Sequence, residues 1–437
     1  MALRTTHMQD TFVIEGLAGK RTLKGAIAVS GAKNAALKLM AASLVFRDRV
    51  VLKNVPDIED VRRMADLLAH LGAKISFSRG TMEIMPPQNG NLPEIAPDIA
   101  KRMRASVVLT GPILARYGKV SFPHPGGCVI GARPIDIFIK GFDAMGARSV
   151  SDAKGYRIVT RGAHLVGAEI FFRKQSVTAT ETFMIAAVLA KGTTVLKNAA
   201  MEPEIEDLAK FLIAGGARVS GVGTPTVTIH GGGFLSMRGK THTTTPDRIE
   251  AGSFLILAAL AGQDVEVTRL NPAHLESLTA ALTEAGVPLS VGKTSIRVHP
   301  KGKVPKLISQ SIQTHEYPGF PTDLQAPMTI LLTQAHGEAM VFETIFEGRL
   351  NYTESLKGMG ADITMMDPHR ILVKGPEPLK GRNLESPDLR AGLAFVIAAT
   401  IAKGRSVIHN VYNIDRGYEN IEGRLRKIGV KIERIPA

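Results

Sequence analysis

The only cysteine in the sequence, Cys128, lies in a glycine-rich segment whose chemistry is that of an activated thiol. Gly126, Gly127 and Gly131 surround it, and the loop is longer than the equivalent loop of the next sequence repeat. Arg133 and the helix predicted beyond it are expected to lower the pKa of the thiol. A single cysteine is usually buried and inert, but the glycines and the added length favour an exposed, reactive thiol on a mobile loop.

Cations and carboxylates recur in the loops before predicted helices. Free backbone N–H groups and the helix dipole favour a bound anion there. One arginine in such a loop is usually a surface charge, whereas several in equivalent loops indicate an anionic ligand. The aspartates also fit helix caps, and Glu202 and Glu204 fit the first turn of a helix. The candidate residues of this kind are Lys33, Asn34, Arg104, Arg133, Ser176, Asp323, Arg349, Asp388, Arg390 and Arg416.

Composition excludes several classes of protein. No apolar run approaches the roughly 18 residues that span a bilayer, and one cysteine forms no internal disulfide, which is typical of a reducing cytoplasm. The net charge of +14 fits nucleic acid, a small phosphorylated ligand or an ordinary basic surface. The 12 histidines lack metal-ligand spacing, so we expect no metal site. The glycines at 231–233 are not followed by a phosphate-loop signature.

A repeat organises the whole sequence. Six times, a predicted helix is followed by a glycine, then by Ala or Val, and then by a strand. The six glycines are 69 to 74 residues apart, and each suits the left-handed conformation that ends a helix. They are Gly72, Gly146, Gly216, Gly286, Gly360 and Gly429.

Each repeat predicts one βαβαββ unit of an α/β fold. One helix per unit is apolar nearly all round and must be buried, so we expect helices inside and sheets outside. The sixth repeat lacks its last strand, and the N-terminal segment resembles that missing part. We therefore predict two similar domains of three units each. One is continuous, over residues 33–245, and the other combines residues 1–32, whose strand completes the sixth unit, with residues 246–437.

Several strings of the sequence resemble one enzyme family, the UDP-N-acetylglucosamine enolpyruvyl transferases (1-carboxyvinyltransferases). The likeness covers essentially the whole chain, and the cysteine loop together with SGAKNAAL is highly specific. Enolpyruvylshikimate-phosphate synthases share the sixfold fold but lack such a cysteine loop. The matching strings are SGAKNAAL (30–37), MRAS (103–106), PGGCVIGARPID (125–136), EPEI (202–205), PDRIE (246–250), FPTDLQA (320–326), DLRA (388–391) and IDRGYE (414–419).

The resemblance implies a fold and a reaction. The fold is an inside-out α/β barrel of two three-unit domains. The reaction moves the enolpyruvyl group of phosphoenolpyruvate to the 3-hydroxyl of UDP-N-acetylglucosamine and releases phosphate, the first committed step of peptidoglycan synthesis. The resemblance implies a cytoplasmic enzyme with these two substrates as partners, no metal, no organic cofactor, no nucleic acid and no membrane.

The resemblance also assigns roles to residues. Cys128 matches the cysteine that donates a proton to C3 of phosphoenolpyruvate and that fosfomycin alkylates. Asp323 matches the residue beside the sugar hydroxyl, which is either a base or a positioning group. The implied catalytic set is Cys128, Asp323, Asp388, Lys33 and Arg416. The implied phosphoenolpyruvate contacts are Lys33, Asn34, Arg133, Arg349, Arg390 and Arg416. The implied nucleotide-sugar contacts are Arg104, Arg133, Pro134, Ile135, Asp136, Ile137, Lys174, Gln175, Ser176, Val177, Asp323 and Ile345.

Two departures concern the nucleotide side. Val108 stands where some members carry an aromatic residue, and Thr178 replaces a glycine beside the diphosphate. A related transferase with another nucleotide acceptor therefore stays the alternative. A basic nucleic-acid-binding scaffold without catalysis is the alternative from a different class, and it requires a steep salt dependence of binding.

Overall fold

The computed structural model describes residues 10–88, 104–122, 135–152, 155–299 and 306–436. These residues separate into two compact units. The terminal unit contains the N-terminal segment up to Ser30 together with the chain from Pro246 onward, and the central unit lies between Gly31 and Thr245. Each unit has its own hydrophobic core.

The described strands are short, and most alternate buried and partly exposed residues. In chain order they are Thr11–Glu15 (β1), Leu23–Ala28 (β2), Val50–Lys53 (β3), Lys74–Ser78 (β4), Thr81–Met85 (β5), Lys119–Phe122 (β6), Ala147–Asp152 (β7), Gly155–Thr160 (β8), Glu169–Phe171 (β9), Thr193–Lys197 (β10), Arg218–Ser220 (β11), Thr226–His230 (β12), Thr241–Thr243 (β13), Gly262–Thr268 (β14), Leu289–Val291 (β15), Ser295–Val298 (β16), Ile312–Gln313 (β17), Gly337–Phe342 (β18), Asp362–Asp367 (β19), Arg370–Gly375 (β20), Asn383–Glu385 (β21), Arg405–His409 (β22) and Lys431–Ile435 (β23).

One pairing pattern recurs in five four-stranded sheets of the described ranges. An edge strand runs parallel to the second strand, and the second, third and fourth strands pair antiparallel. The orders are β13-β3-β5-β4 and β9-β10-β12-β11 in the central unit, and β2-β14-β16-β15, β17-β18-β20-β19 and β21-β22-β1-β23 in the terminal unit. The antiparallel strands β6-β8-β7 form a further sheet of the central unit.

Strand β1 occupies the third position of the sheet that contains β22 and β23. It pairs antiparallel with both, placing Phe12 opposite Ile408 and Arg434. In the other four sheets of this pattern, the third strand directly follows the fourth strand in the chain. The N-terminal strand thus fills the place that a hairpin strand fills elsewhere.

The described helices divide into buried and surface elements. In chain order they are Lys33–Ala42 (α1), Glu59–His70 (α2), Thr110–Tyr117 (α3), Asp136–Ala144 (α4), Val177–Val188 (α5), Pro203–Ala214 (α6), Arg248–Ala261 (α7), Glu276–Glu284 (α8), Gln325–Leu332 (α9), Thr353–Gly358 (α10), Leu389–Ile401 (α11), Tyr412–Asp415 (α12) and Ile421–Lys427 (α13). Short 3-10 segments are Ser43–Val45, Arg104–Leu109, Pro272–Leu275 and Thr322–Leu324.

Five helices, α1, α5, α7, α9 and α11, are buried along almost their whole length. Their Ala-, Leu- and Ile-rich sequences have no continuous polar face, so burial is their only stable environment. By contrast, α2 buries the stripe of Val61, Met64, Leu67 and Leu68 and leaves its opposite side partly exposed. In the part of the chain that the structure describes, polar loops therefore meet the five buried helices at the helix ends and not along their sides.

The six repeat glycines have the predicted conformation. Their φ angles lie between 80° and 105°, in the left-handed region that favours glycine. This confirms that the repeats share one helix-ending turn. Among the described helices, none is both long and apolar enough to cross a membrane.

Candidate functional site

Asp323 of the terminal unit receives two buried arginine side chains. It lies in the 3-10 turn directly before α9. Its Oδ1 accepts a hydrogen bond from Nη2 of Arg349 at 2.7 Å. Its Oδ2 accepts a hydrogen bond from Nε of Arg390 at 2.9 Å and lies 2.8 Å from Nη2 of the same arginine. Both arginine side chains are 5% exposed, whereas that of Asp323 is 26% exposed. The carboxylate is therefore the member of this cluster that a ligand can reach most easily.

The arginines determine the charge of Asp323. Burial raises the pKa of this carboxyl, but the charges of Arg390 and Arg349, a hydrogen bond from Arg349 and the charge of Arg248 together hold the pKa well below its usual range. Asp323 is therefore ionised at neutral pH. It also binds a proton poorly for as long as both guanidinium groups face it, because protonation would leave their charges uncompensated.

Arg390 is fixed by groups on either side of it. Oδ1 of Asp388 accepts the backbone N–H groups of Arg390 and Ala391 at 2.7 and 3.1 Å and thereby caps α11. Nη1 of Arg390 donates to the hydroxyl of Tyr418 at 2.9 Å. Burial raises the pKa of Tyr418 to about 12 against the opposing charge of Arg390, so the phenol stays neutral and accepts this bond. The helix-cap interpretation thus describes Asp388, whereas Asp323 binds arginines instead.

The sequence patterns do not predict three residues of this cluster: Thr322, Glu343 and Tyr418. The hydroxyl of Thr322 accepts from Nη1 of Arg349 at 3.0 Å and donates to Oε2 of Glu343 at 2.8 Å. Thr322 and Tyr418 lie inside strings that carry the family resemblance, which was a usable signal. Glu343 follows β18 and is fully buried, but nothing in the sequence distinguishes it from the exposed Glu347 nearby.

The remaining predicted residues of the terminal unit lie on neighbouring loops. Ile345 is half-buried, and its N–H donates to Oε1 of Glu343 at 2.9 Å. Arg416 is half-buried and ends α12, two residues before Tyr418. A cavity of about 110 Å³ has Arg349 and Asp388 in its wall. One side of Arg349 therefore borders open space.

In the central unit, Lys33 is the first residue of α1 and is held by a carboxylate. Its ammonium group lies 2.7 Å from Oδ2 of Asp60, and the two side chains are 9% and 3% exposed. Asn34 follows it and is half-buried. The N-terminus of a helix favours an anion through its dipole, and the ammonium group of Lys33, paired with Asp60, lies at this end of α1.

The residues predicted to contact the nucleotide sugar are spread over several loops and the first turns of helices. Ser176 caps α5 by accepting the N–H of Ala179 at 3.2 Å, and Nε2 of Gln175 donates to the carbonyl of Ala199 at 3.3 Å. Lys174 is exposed and Val177 half-buried; Ile135 is buried, Ile137 half-buried, and the exposed Asp136 lies 3.6 Å from Lys140. Cys128, Arg133, Pro134 and the side chain of Arg104 lie outside the described residues.

A second lysine–carboxyl contact lies inside the central core, between residues that were given no role in the predicted site. Nζ of Lys38 on α1 is 3.2 Å from Oε2 of Glu181 on α5, and their side chains are 6% and 0% exposed. Burial raises the pKa of Glu181 to about 8, opposed by Lys38 and assisted by the charges of Glu204 and Glu202. The pair therefore connects the two buried helices that begin at Lys33 and Val177.

We expect the Lys38–Glu181 pair to make stability depend on pH. The pKa of Glu181 in the folded chain is about 8, above the ordinary value of 4.5. The contribution of Glu181 to the free energy of unfolding is therefore fully present below pH 4.5 and is lost as pH rises towards 8. The Lys38→Met/Glu181→Leu variant lacks this loss. Its free energy of unfolding relative to the original chain should therefore increase from pH 5 to pH 8 in urea titrations.

The exposed pair Lys210 and Glu206 on α6 provides the matched control. Lys210→Gln/Glu206→Gln should leave the same pH dependence unchanged, because exposed pairs contribute little. A relative stability of the Lys38→Met/Glu181→Leu variant that stays flat or falls over this pH range would contradict the prediction.

Within the described ranges, no three His, Cys, Asp or Glu side chains are grouped so that they could hold a metal ion. The described site presents guanidinium, ammonium, carboxylate and hydroxyl groups. Such groups bind anions and orient hydroxyls.

The sequence matches one family profile over most of its length. Residues 17–425 match the EPSP synthase (3-phosphoshikimate 1-carboxyvinyltransferase) family. A curated relative named UDP-N-acetylglucosamine 1-carboxyvinyltransferase, from Acidobacterium capsulatum, is 45% identical over 431 residues, which cover 98% of this chain and 96% of the relative. UDP-N-acetylglucosamine 1-carboxyvinyltransferase 1 from Caldanaerobacter subterraneus subsp. tengcongensis is 42% identical, over 98% of this chain and all of the relative.

Solved structures show the same fold at lower identity. The enolpyruvyl transferase NikO from Streptomyces tendae superposes with a TM-score of 0.85 at 24% identity, over 98% of this chain and 99% of that one. EPSP synthase from Acinetobacter baumannii gives a TM-score of 0.71 at 18% identity, over 98% of this chain and 100% of that one. These likenesses confirm the predicted α/β class.

Proposed function

The chain belongs to the EPSP synthase (3-phosphoshikimate 1-carboxyvinyltransferase) family of enzymes, and we propose that it transfers the enolpyruvyl group of phosphoenolpyruvate to the 3-hydroxyl of UDP-N-acetylglucosamine. Phosphate is the second product. The names and identities of the curated relatives support this acceptor. The observation that carries the chemistry is the ionised carboxylate of Asp323 between two buried guanidinium groups.

Phosphoenolpyruvate brings a carboxylate and a phosphate, which need cationic partners. Preorganised cations also stabilise the negative charge that moves onto the leaving phosphate. We assign this binding to Lys33, Asn34, Arg133, Arg349, Arg390 and Arg416. The burial of Lys33, Arg349 and Arg390 supports the assignment, because a buried cation interacts more strongly with an anion than an exposed one does.

The reaction then needs two proton transfers and one elimination. Cys128 donates a proton to C3 of phosphoenolpyruvate, while the acceptor hydroxyl loses its proton to Asp323 and its oxygen bonds to C2. The tetrahedral adduct next returns a proton from C3 to the thiolate of Cys128 while the bond between C2 and the phosphate oxygen breaks, which restores the carbon–carbon double bond. The proton held by Asp323 leaves with the phosphate. Asp388 acts through Arg390, whose backbone N–H it binds at the start of α11.

The described contacts support a role of the donor in activating Asp323. Both arginines donate hydrogen bonds to its carboxylate. When anionic phosphoenolpyruvate approaches Arg349 and Arg390, part of their charge is neutralised, and the pKa of Asp323 rises towards a value at which it can accept a proton. Donor binding thus prepares the base for the acceptor hydroxyl.

The nucleotide-sugar contacts are assigned to residues at or just before the starts of three helical segments of the central unit and to two places in the terminal unit. These residues are Arg104, Arg133, Pro134, Ile135, Asp136, Ile137, Lys174, Gln175, Ser176, Val177, Asp323 and Ile345. The free N-terminal N–H groups of α5 beside Ser176 suit a diphosphate. We further propose an inside-out α/β barrel of two three-unit domains, residues 33–245 and residues 1–32 with 246–437. A cytoplasmic location and a place in peptidoglycan synthesis belong to the same proposal.

A phosphate-release assay with phosphoenolpyruvate tests this function. UDP-N-acetylglucosamine, uridine monophosphate and shikimate 3-phosphate are supplied separately as acceptors. We expect phosphate release with UDP-N-acetylglucosamine and with neither of the other two acceptors. Release with uridine monophosphate would assign another nucleotide acceptor, and release with shikimate 3-phosphate would assign the synthase activity. No release with any of the three would contradict enolpyruvyl transfer to these acceptors.

A further inference from the structure

We propose that Glu343 is a positioning residue that orients Arg349 against Asp323 through the hydroxyl of Thr322. Its role in turnover rests on the proposed function. The contact itself is a property of the described structure and is testable without turnover.

One oxygen of Glu343 fixes a loop of the site. Oε1 accepts the backbone N–H groups of Ile345 and Phe346 at 2.9 and 3.2 Å. The backbone of Glu343 is itself held, because its N–H donates to the carbonyl of His369 at 2.8 Å. The carboxylate therefore has little freedom, and its second oxygen has a fixed direction.

That second oxygen determines how Thr322 makes its hydrogen bonds. A hydroxyl has one proton to donate, a carboxylate only accepts, and a guanidinium only donates. Since Oε2 of Glu343 is 2.8 Å from the Thr322 hydroxyl, the proton points to Glu343. The lone pairs are left for Nη1 of Arg349 at 3.0 Å, while Nη2 of the same arginine donates to Asp323 at 2.7 Å.

The charges of the cluster explain why a second carboxylate stabilises the position of Arg349. Asp323 carries one negative charge and pairs with two positively charged guanidinium groups, those of Arg349 and Arg390. Glu343 supplies a second carboxylate, separated from Arg349 by one hydroxyl group. Arg349 is therefore held on two sides and keeps its Nη2 directed at Asp323.

The Thr322→Val and Thr322→Ser variants test the proposal. Valine keeps the shape and removes the hydroxyl, whereas serine retains it. Loss of a hydrogen bond to a charged group is expected to lower kcat/KM by roughly tenfold to a hundredfold in Thr322→Val. Thr322→Ser should stay within about threefold of the original chain. Both variants should show unchanged thermal unfolding midpoints within a few degrees.

The pH profile separates positioning from a purely structural effect. Asp323 faces Arg349, Arg390 and Arg248, and a weaker contact with Arg349 raises its pKa. Because Asp323 must be ionised to accept a proton, the acidic limb of kcat should move to higher pH in Thr322→Val and stay in place in Thr322→Ser. An unchanged acidic limb together with normal kcat/KM in Thr322→Val would overturn the proposal.

Glu343→Gln provides a second, independent variant. The amide oxygen can still accept from Ile345 and Phe346, but the amide nitrogen then donates to Thr322. The Thr322 proton then loses its acceptor, so the hydroxyl is no longer held in the orientation that presents its lone pairs to Arg349. We expect Glu343→Gln to resemble Thr322→Val, and the double variant to be no worse than either single variant, because both break the same chain of contacts. Additive losses would overturn the proposal.

Crystal structures of Thr322→Val and Thr322→Ser test whether the Thr322 hydroxyl positions Arg349, and they do not require an active enzyme. We expect Arg349 to leave its position beside Asp323 in the valine variant alone. An unmoved guanidinium in Thr322→Val would refute the positioning role. If the original chain proved inactive with all three acceptors, the proposed function would fail, while these structures would still decide the role of Glu343.

Discussion

Asp323→Asn is expected to lower turnover by about 10²–10⁴-fold, the usual contribution of a well-placed acid or base. Asparagine removes the proton acceptor and also removes the negative charge between Arg349 and Arg390. Its amide can offer one oxygen to one arginine, but its nitrogen then faces the other donor. The loss should appear in kcat of the phosphate-release assay.

The same substitution tests how much the cluster stabilises the fold. Removing one partner of a buried ion pair costs about 3–5 kcal/mol, and the partial exposure of Asp323 places this case near the lower end. Asp264 is the matched control, because it also pairs with an arginine, Arg297, but both are about half exposed. Asp264→Asn should change neither turnover nor stability measurably. An Asp323→Asn enzyme within threefold of normal turnover would remove Asp323 from the proton transfer.

The sixfold repeat could be predicted because its signals are local. A helix that ends in a left-handed residue needs glycine there, and an apolar helix must be buried. Both rules depend only on residues within one repeat, so the same sequence signals occur in each of the six repeats. The six positive φ angles and the burial of α1, α5, α7, α9 and α11 follow directly from them.

The contacts of the site could be predicted only in part. The sequence identified Asp323, Arg349 and Arg390 as candidates in equivalent loops, but their mutual contacts join residues 26 and 67 positions apart. Such pairings depend on how the loops are placed by the sheets. The distinction between Asp388, which caps a helix, and Asp323, which does not, likewise depends on backbone angles that both sequences allow.

Glu343 and the Lys38–Glu181 pair were missed for a physical reason. A charged residue in an apolar context is normally expected on the surface, and only a partner from a distant segment makes its burial favourable. Lys38 lies in a helix whose sequence predicts an apolar surface nearly all round, and its partner Glu181 is 143 residues away. Sequence patterning identifies which face is buried, but it does not identify which charges are neutralised there.

Cys128→Ala is expected to abolish turnover or to slow it severely. The reaction requires a proton at C3 of phosphoenolpyruvate, and alanine has none to donate. A thiol is suited to this step because its ordinary pKa of about 8.5 keeps it protonated near neutral pH, and the sequence predicts that Arg133 and the helix after it make this thiol a stronger acid. Turnover is measured by phosphate release, and a near-normal rate in Cys128→Ala would remove the thiol from the mechanism.

Cys128→Asp is the informative partner of that variant, because a carboxylic acid can also donate a proton. A donor works only while protonated, so activity is lost as pH rises through its pKa. That pKa is about 3.9 for an ordinary aspartate, far below that of the thiol. Cys128→Asp should therefore retain turnover in acid and lose it towards neutral pH, with its basic limb displaced to lower pH. A Cys128→Asp profile that coincides with that of the original chain would show that residue 128 does not supply the proton, since the titrating group would then be the same in both.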